Sequence, residues 1–308
     1  MKLLAIDGNS IINRAFYGIR PLNAPDGTPT NAIYGFFSMT GKIAKDTNPD
    51  AIAVAFDVRQ PTFRHQAYSE YKAGRHPTPP EFYVQMDLLK KLLVDFNIPV
   101  ITCPGFEADD ILGTLSKMCE DKQIDCIVYT GDKDSFQLVG DYTNVYLPKT
   151  TPEGPQVFVY DKARIANEFG GLEPKQMIDL KALQGDKSDN IPGVPGIGPK
   201  TAIELVSKFG SIENIYAEFD NLANDTAKIN STFGVSKGVA EKLINGKESA
   251  EFSKFLGTIK RDIPVGVTLD YLKVVPADPN IVYNDLTKLG LNRFIKDWNI
   301  VPDEPERD

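Results

Sequence analysis

The chain has 308 residues, of which 42% are hydrophobic and 25% are charged, and its formal net charge is −8. This composition is ordinary for a soluble globular protein, and the length predicts about two domains. No apolar run approaches the roughly 18 residues of a membrane-spanning helix, so we expect no membrane association. We expect no signal peptide because Asp7 interrupts the first apolar run, and three cysteines without metal-ligand spacing predict a reduced cytoplasmic protein.

Short apolar runs that end in aspartate recur along the first half of the chain. They are residues 3–6 before Asp7, residues 51–56 before Asp57, and residues 126–131 before Asp132 and Asp134. Continuous apolar strands that alternate with helical patterns predict an α/β fold, with a mostly parallel central sheet and helices on both faces. Because ligands bind outside the carboxyl ends of such strands, we expect these aspartates at one edge of the sheet.

Helical patterns fill the intervals between the strands. Asn9 and Ser10 can cap a first helix, residues 31–45 predict a second, and residues 81–96 predict a third after a proline-rich break. The strand signal fades after about residue 161, so we predict an α/β core at residues 1–165 and a helical region at residues 166–308. Within that region, residues 271–298 predict a strand and two short helices.

An acidic segment opens the helix that follows a short predicted strand at residues 98–101. It places Glu107, Asp109 and Asp110 within four residues, directly before an apolar run. Glu107 and Asp110 are three residues apart, so on a helix they share a face. Acidic residues in a first helical turn ordinarily respond to the helix dipole, and for this segment alone that is the commoner explanation. The other strand-end aspartates favour a ligand cluster instead.

The candidate metal ligands are nine carboxylates, namely Asp7, Asp57, Glu107, Asp109, Asp110, Asp132, Asp134, Asp186 and Asp189. Two like charges about 4 Å apart repel by about 1 kcal/mol in water and about 4 kcal/mol near a protein surface. Such a crowd therefore requires protons or bound cations. Oxygen ligands without histidine or cysteine favour Mg²⁺ or Mn²⁺, and this number of ligands favours two ions. Two-ion sites catalyse in-line displacement at phosphorus, which predicts phosphodiester hydrolysis.

Charge is distributed unevenly, which offsets the argument that a net negative chain avoids nucleic acid. Between residues 59 and 75 the basic residues Arg59, Arg64, Lys72 and Arg75 outnumber the single acid Glu70. Aromatic residues are interleaved with them at positions 63, 68 and 71. Basic and aromatic side chains together suit a single-stranded nucleic acid, through phosphate contacts and base stacking. On composition alone, a solvated loop is an equally good explanation.

The helical region contains a glycine-rich segment at residues 191–202. Pro199 suits the first position of a helix, whose free amides would hold a phosphate. We exclude a P-loop because Pro199 separates Gly198 from Lys200 and no strand precedes the segment. The pattern predicts a helix–hairpin–helix at about residues 185–210 that contacts a DNA backbone without recognising bases. Its candidate contacts are Gly193, Gly196, Gly198, Lys200 and Thr201.

Together these motifs resemble the 5′-nuclease domain at the amino terminus of bacterial DNA polymerase I, in the flap endonuclease superfamily. The resemblance covers nearly the whole chain and rests on residues 55–57 with 61–64, 71–75, 105–113, 130–134 and 185–198. It implies the PIN-like 5′-nuclease fold with a helical arch around residues 68–95, through which a 5′ single strand passes. The implied substrates are DNA with 5′ flaps, nicks or 5′ ends, including RNA primers, in replication and repair.

The resemblance also implies roles for individual residues. Asp57, Glu107 and Asp109 would favour one Mg²⁺ or Mn²⁺ ion, and Asp132, Asp134 and Asp189 the second. Asp7 would act partly through water, and Asp110 and Asp186 would be outer or transient ligands. Lys72, Arg75 and Arg14 would face the scissile phosphate, Arg64 and Tyr71 would contact DNA, and the hairpin carbonyls would bind K⁺.

Three alternatives bear on this interpretation. A haloacid-dehalogenase-type phosphatase is excluded because Asn9 occupies the place of its second aspartate. A structure-specific DNA-binding module without catalysis is disfavoured, since a binder would gain by losing carboxylates near phosphate. The chain is either a fragment of a larger protein with a polymerase domain or a free-standing nuclease, and its residues leave both cases open.

Overall fold

The centre of the molecule is a sheet of six strands: β1 (Lys2–Asp7), β2 (Ala51–Ala55), β3 (Val100–Ile101), β4 (Asp125–Tyr129), β5 (Thr143–Thr151) and β6 (Gly154–Tyr160). This computed structural model describes residues 1–75 and 77–302, so position 76 of the predicted arch and the last six residues of the predicted helical region lie outside it. The strand order is β3-β2-β1-β4-β5-β6. All neighbouring pairs are parallel except β5 and β6, which are antiparallel.

The helices, in chain order, are α1 (Gly8–Gly18), α2 (Asn31–Thr47), α3 (Phe63–Ala67), α4 (Pro80–Asp95), α5 (Ala108–Asp121), α6 (Lys162–Glu168), α7 (Met177–Gln184), α8 (Pro199–Phe209), α9 (Ile212–Asn221), α10 (Thr226–Phe233), α11 (Lys237–Asn245), α12 (Lys247–Gly257), α13 (Pro279–Lys288) and α14 (Asn292–Asp297). Short 3₁₀ turns lie at Lys133–Leu138 and Pro174–Gln176. No helix in the described ranges is both long and apolar enough to cross a bilayer.

Both faces of the sheet are covered, which explains why its strands are apolar without alternation. Along β1, Leu3 and Ala5 point into a core shared with α5, whereas Leu4 and Ile6 point into a core shared with α1, α2 and α4. Parallel strands buried on both faces have this continuous apolar character. The predicted α/β class with a mostly parallel sheet is therefore confirmed.

The predicted helices at residues 31–45 and 81–96 correspond to α2 and α4 within two residues at each end. The long β5–β6 hairpin was not predicted from the sequence, because its strands are only partly apolar and its edge faces solvent. Of the predicted arch, residues 80–95 are helical, whereas residues 69–74 form turns. The strand predicted after residue 271 is a single bridge between Ala51 and Lys273, followed by α13 and α14.

Helices α7 to α12 enclose a separate apolar core. The chain then leaves this core, and residues 259–272 pack against α5 while α13 and α14 pack on the opposite face of the sheet. A backbone hydrogen bond of 2.9 Å, from Ile52 N to Leu272 O, joins residues 259–272 to β2. Residues 259–272 and helices α13 and α14 thus pack on the α/β core and not on the helices that precede them.

Candidate active site

A cleft of about 1180 Å³ opens at the carboxyl edge of the sheet and is lined by five of the nine candidate ligands, Asp7, Asp57, Glu107, Asp109 and Asp132, and by a sixth carboxylate, Asp87. Asp7 is the last residue of β1, and Asp57 and Asp132 follow the adjacent strands β2 and β4. Because these strands are parallel, their ends meet at one edge. Glu107 is the N-cap of α5, so it and Asp109 reach the cleft from the start of a helix.

Asp7 and Asp57 are held by backbone and hydroxyl donors. Asp7 caps α1 by accepting from Ser10 N at 2.9 Å, and it accepts from Thr130 Oγ1 at 2.7 Å. Burial raises the pKa of Asp7 to about 7. Asp57 accepts from Ala108 N at 2.7 Å, which joins the end of β2 to the start of α5, and burial also raises its pKa.

Asp109 is the carboxylate whose surroundings best fit a bound cation. Its Oδ1 atom is buried and has no hydrogen-bond partner within the described part of the chain. Burial, followed by the charges of Asp132 and Asp7, raises the pKa of Asp109 well above its ordinary value. A buried carboxylate oxygen without a partner is costly, and a bound cation would remove that cost.

Lysine and arginine side chains from the predicted basic segment neutralise part of this charge. Lys72 Nζ lies 2.8 Å from Glu107 Oε1, and Arg75 Nη2 lies 2.7 Å from Asp189 Oδ1. Lys72 has a left-handed backbone with φ of 59°, and its amide donates to Asp189 O at 3.0 Å. Strained residues of this kind persist where the surrounding structure holds them, often at functional sites. The turn at residues 69–74 is therefore attached to the loop that carries Asp189.

Lys181 on α7 is a site residue that the sequence analysis missed. Its ammonium binds both Asp134, at short range, and Asp186 Oδ2 at 2.8 Å. Burial raises the pKa of Asp134 to about 7. Burial would also raise the pKa of Asp186. The charge of Lys181 and two hydrogen bonds from Ser188 outweigh burial, and they lower this pKa to about 2. No local motif marks Lys181, because its partners come from the 3₁₀ turn after β4 and from the loop after α7.

Arg64 and Asp110 differ from their predicted roles, since they bind each other in the interior. Arg64 donates from Nη1 and Nη2 to the two carboxylate oxygens of Asp110, each at 2.8 Å, and the two residues are 2% and 0% exposed. Asp110 also accepts from the amides of Glu107 and Lys260, so its oxygens are already satisfied. Arg64 therefore does not reach a DNA surface, and Asp110 does not face the cleft.

Tyr71 is likewise buried, and its hydroxyl donates to Glu107 Oε2 at 3.1 Å and to Asp189 Oδ2 at 3.4 Å. Its predicted contact with DNA is replaced by contacts that orient two carboxylates. Arg14 lines the cleft and donates to Thr150 Oγ1 at 3.0 Å. Lys90, Tyr17 and Tyr83 also line the cleft, and the sequence analysis did not select them.

The glycine hairpin has the geometry expected of a helix start. Gly198 is the N-cap of α8, Pro199 is its first residue, and Lys200 is exposed beside them. Gly196 is exposed with φ of 80°, and Thr201 is half-buried. Gly193 is buried, however, and a Cβ there would lie 2.3 Å from Gly185 N. Gly193 therefore permits close backbone packing and does not offer a DNA contact.

The cleft fits divalent cations by the chemistry of its lining, whose described residues offer carboxylate, amide and hydroxyl oxygens and no histidine or cysteine. Within residues 1–75 and 77–302, no three histidine, cysteine or acidic side chains lie close enough together to enclose an ion. The reason is visible in the ion pairs, because Lys72, Arg75 and Lys181 bind Glu107, Asp189, Asp134 and Asp186. The partnerless oxygen of Asp109 could bind a cation without breaking any of these ion pairs.

Two family models match the chain in succession. One, described as 5′-3′ exonuclease, N-terminal resolvase-like domain, matches residues 2–170, and the other, 5′-3′ exonuclease, C-terminal SAM fold, matches residues 172–280. DNA polymerase I of Bacillus caldotenax is 39% identical over 306 residues, which are 99% of this chain and 33% of that protein. DNA polymerase I of Bacillus subtilis (strain 168) is 38% identical over 308 residues, which are 100% of this chain and 33% of that protein. The chain thus spans about a third of the length of these relatives.

Solved structures share the fold at lower identity. T5 5′-exonuclease with bound divalent metal ions (zinc) has a TM-score of 0.67 at 20% identity, covering 93% of this chain and 98% of that one. The catalytic core of Rad2 in complex with DNA substrate has a TM-score of 0.61 at 22% identity, and the match covers 97% of this chain and 93% of that one. At these identities the likeness establishes a common architecture.

We predict that Arg64→Ala lowers the free energy of unfolding by about 3–5 kcal/mol, because it leaves Asp110 buried without a counter-charge. Arg64→Lys should recover only part of the loss, since an ammonium lacks the planar pair of donors that matches both carboxylate oxygens. Arg59→Ala is the matched control, because the Arg59–Asp87 pair is exposed and should contribute about 1 kcal/mol or less. Urea unfolding measures the three values, and equal small losses at both arginines would contradict the prediction.

Without metal ions, we predict that stability falls as the pH rises from about 4 to about 7. Asp7 and Asp134 have a pKa of about 7 in the folded chain, above the ordinary value, so their contribution is complete at low pH and is lost as they ionise. Mg²⁺ should reduce this loss by binding the ionised carboxylates. Urea unfolding at several pH values, with EDTA or Mg²⁺, measures the effect, and Asp7→Asn should weaken the pH dependence. Stability that rises with pH in EDTA would refute it.

Proposed function

Since the chain belongs to the 5′-3′ exonuclease family and is therefore a nuclease, we propose that its cleft hydrolyses DNA and RNA phosphodiesters at 5′ flaps, nicks and 5′ ends. The family resemblance seen in the sequence is thereby confirmed. The observation that carries the proposal is the partnerless Asp109 oxygen in a cleft lined by four other candidate metal ligands. This arrangement binds cations and would otherwise repel the phosphates that the nearby basic residues attract.

We assign two Mg²⁺ or Mn²⁺ ions to the cleft. Asp57, Glu107 and Asp109 would hold one, and Asp132, Asp134 and Asp189 the other, with Asp7 acting through water and Asp186 outside the inner ligand set. Asp110 leaves this set because Arg64 satisfies its oxygens. Two-ion sites supply an activated water and stabilise the leaving oxygen of an in-line displacement.

The chain's own cations would position the scissile phosphate. Lys72 reaches the cleft from the turn at residues 69–74, Arg75 from the position directly after that turn, and Arg14 from α1. The Arg75 side chain is 54% exposed, so its guanidinium is accessible to a phosphate while it pairs with Asp189. Preorganised positive charge beside the reacting group stabilises the charge that develops there.

The remaining assignments extend this proposal to the whole chain. Residues 1–165 would form the catalytic unit, with residues 68–95 as the arch, and residues 166–308 would bind duplex DNA. The hairpin before α8 would contact the phosphate backbone and bind K⁺ through its carbonyls. The relatives named DNA polymerase I are three times as long, so we also propose a polymerase domain in the same parent chain, with primer removal and repair as the roles.

The central test is cleavage of a duplex that carries a single-stranded 5′ flap. We predict that Asp132→Ala abolishes Mg²⁺-dependent cleavage while flap binding remains, because Asp132 lines the cleft as a metal ligand. Asp141→Ala is the control, since the Asp141 side chain is 79% exposed and pairs only with Lys162 among the described residues. EDTA should stop cleavage by the parental chain. Full activity of the Asp132 variant, or cleavage in EDTA, would refute the two-ion assignment.

The hairpin generates a separate prediction about affinity. Lys200→Ala should weaken duplex binding similarly for different base sequences and reduce the salt slope of log K by about one, because a phosphate contact releases counterions. Lys117→Ala, on the exposed side of α5, should leave the slope unchanged. Binding titrations at several salt concentrations measure both variants. An effect confined to particular sequences would contradict phosphate binding by this hairpin.

A further inference from the structure

The burial of Tyr71 raises the question of which aromatic side chains meet a single strand at this cleft. Tyr17 and Tyr83 line the same cleft as the carboxylates, and they are 64% and 38% exposed. Tyr17 lies near the end of α1, and Tyr83 lies in the first turn of α4. Large exposed aromatic side chains at the wall of a charged cleft are available to a ligand that has flat apolar faces.

The two tyrosines are the ends of a continuous line of rings. Tyr17 meets Phe16 with centroids 5.0 Å apart, Phe16 meets Phe82 at 5.4 Å, and Phe82 meets Tyr83 at 5.7 Å, each pair close to perpendicular. Phe82 is only 5% exposed and belongs to the core beneath the cleft. Edge-to-face contacts of this kind are favourable, so the buried rings brace the exposed ones.

Positive charge surrounds this aromatic line. Arg14 and Lys90 line the cleft beside it, and the Arg59 guanidinium lies over the Tyr83 ring, 4.5 Å from its centroid. Asp87 is the nearby acid, and it accepts from Arg59 at 3.4 Å. Aromatic faces next to cations match a nucleic acid strand whose bases are unpaired, because stacking and phosphate contacts act together.

We propose that Tyr17 and Tyr83 form a stacking site for unpaired bases of the 5′ single strand next to the cleavage cleft. The inference rests on the proposed nuclease function and deepens it, because it adds a requirement on the substrate. A duplex offers its bases only in the stack, whereas a flap offers free faces. The site thus favours strands that carry exposed bases over strands that supply phosphates alone.

The test compares a natural 5′ flap with a flap of the same length built from abasic nucleotides. Binding is measured in EDTA, which prevents cleavage, and 2-aminopurine in the natural flap reports stacking through its quenched fluorescence. Tyr17→Ala and Tyr83→Ala are compared with Tyr17→Phe and Tyr83→Phe, which keep the ring. Tyr271→Ala is the matched control, since Tyr271 is 65% exposed and lies outside the cleft lining.

We expect each alanine variant to bind the natural flap about 5- to 150-fold more weakly, because stacking is worth about 1–3 kcal/mol per base and 1.4 kcal/mol is tenfold. The alanine variants should also lose 2-aminopurine quenching, the phenylalanine variants should keep it, and Tyr271→Ala should resemble the parental chain. On the abasic flap the alanine and parental proteins should bind alike.

An equal loss of affinity on natural and abasic flaps would overturn the stacking site, because the tyrosines would then serve only the backbone or the fold. Unchanged quenching in both alanine variants would overturn it as well. Cleavage of the natural flap by the parental chain in Mg²⁺ is measured in parallel. Its absence would overturn the proposed nuclease function and the stacking site with it, whereas its presence confines any failure to the tyrosines.

Discussion

Repulsion among carboxylates at one sheet edge is the constraint on which the rest of the site depends. Three adjacent parallel strands deliver Asp7, Asp57 and Asp132 to that edge, and the start of α5 adds Glu107 and Asp109. Protein cations offset part of the charge, and burial raises several of the carboxylate pKa values. The charge that is left uncompensated, above all on the Asp109 oxygen, supports the cation site that we propose in this cleft.

Buried pairs of opposite charge also connect segments that are distant in the sequence. The buried Arg64–Asp110 pair joins α3 to α5, and Arg64 also donates to the carbonyls of Leu256 and Thr258 at the end of α12. Lys181 joins α7 to the loops that carry Asp134 and Asp186. Charged groups that are taken out of water need partners of good geometry, so these pairs determine how the helical part meets the cleft. Stability and site geometry are therefore coupled in this molecule.

Residues of one sequence motif serve different purposes once the chain is folded. In the basic segment, Lys72 and Arg75 face the cleft, whereas Arg64 and Tyr71 are buried behind it. In the acidic segment, Asp109 faces the cleft while Asp110, one residue later, points about 100° away around the helix and meets Arg64. The aromatic faces at the cleft belong to α1 and α4 instead, outside the motif that predicted them.

The sequence by itself determined the α/β class, the mostly parallel sheet, the limits of α2 and α4, and the strand-end placement of the aspartates, because periodicity and residue type are local properties. It also predicted that the acidic and basic residues belong to one site, which the cleft brings together for Asp7, Asp57, Glu107, Asp109, Asp132, Lys72, Arg75 and Arg14. Only the tertiary structure decided the β5–β6 hairpin, the inward turn of Arg64 and the role of Lys181. Arg64 pairs with Asp110, 46 positions away, and Lys181 pairs with Asp134, 47 positions away, and no local pattern records contacts at such separations.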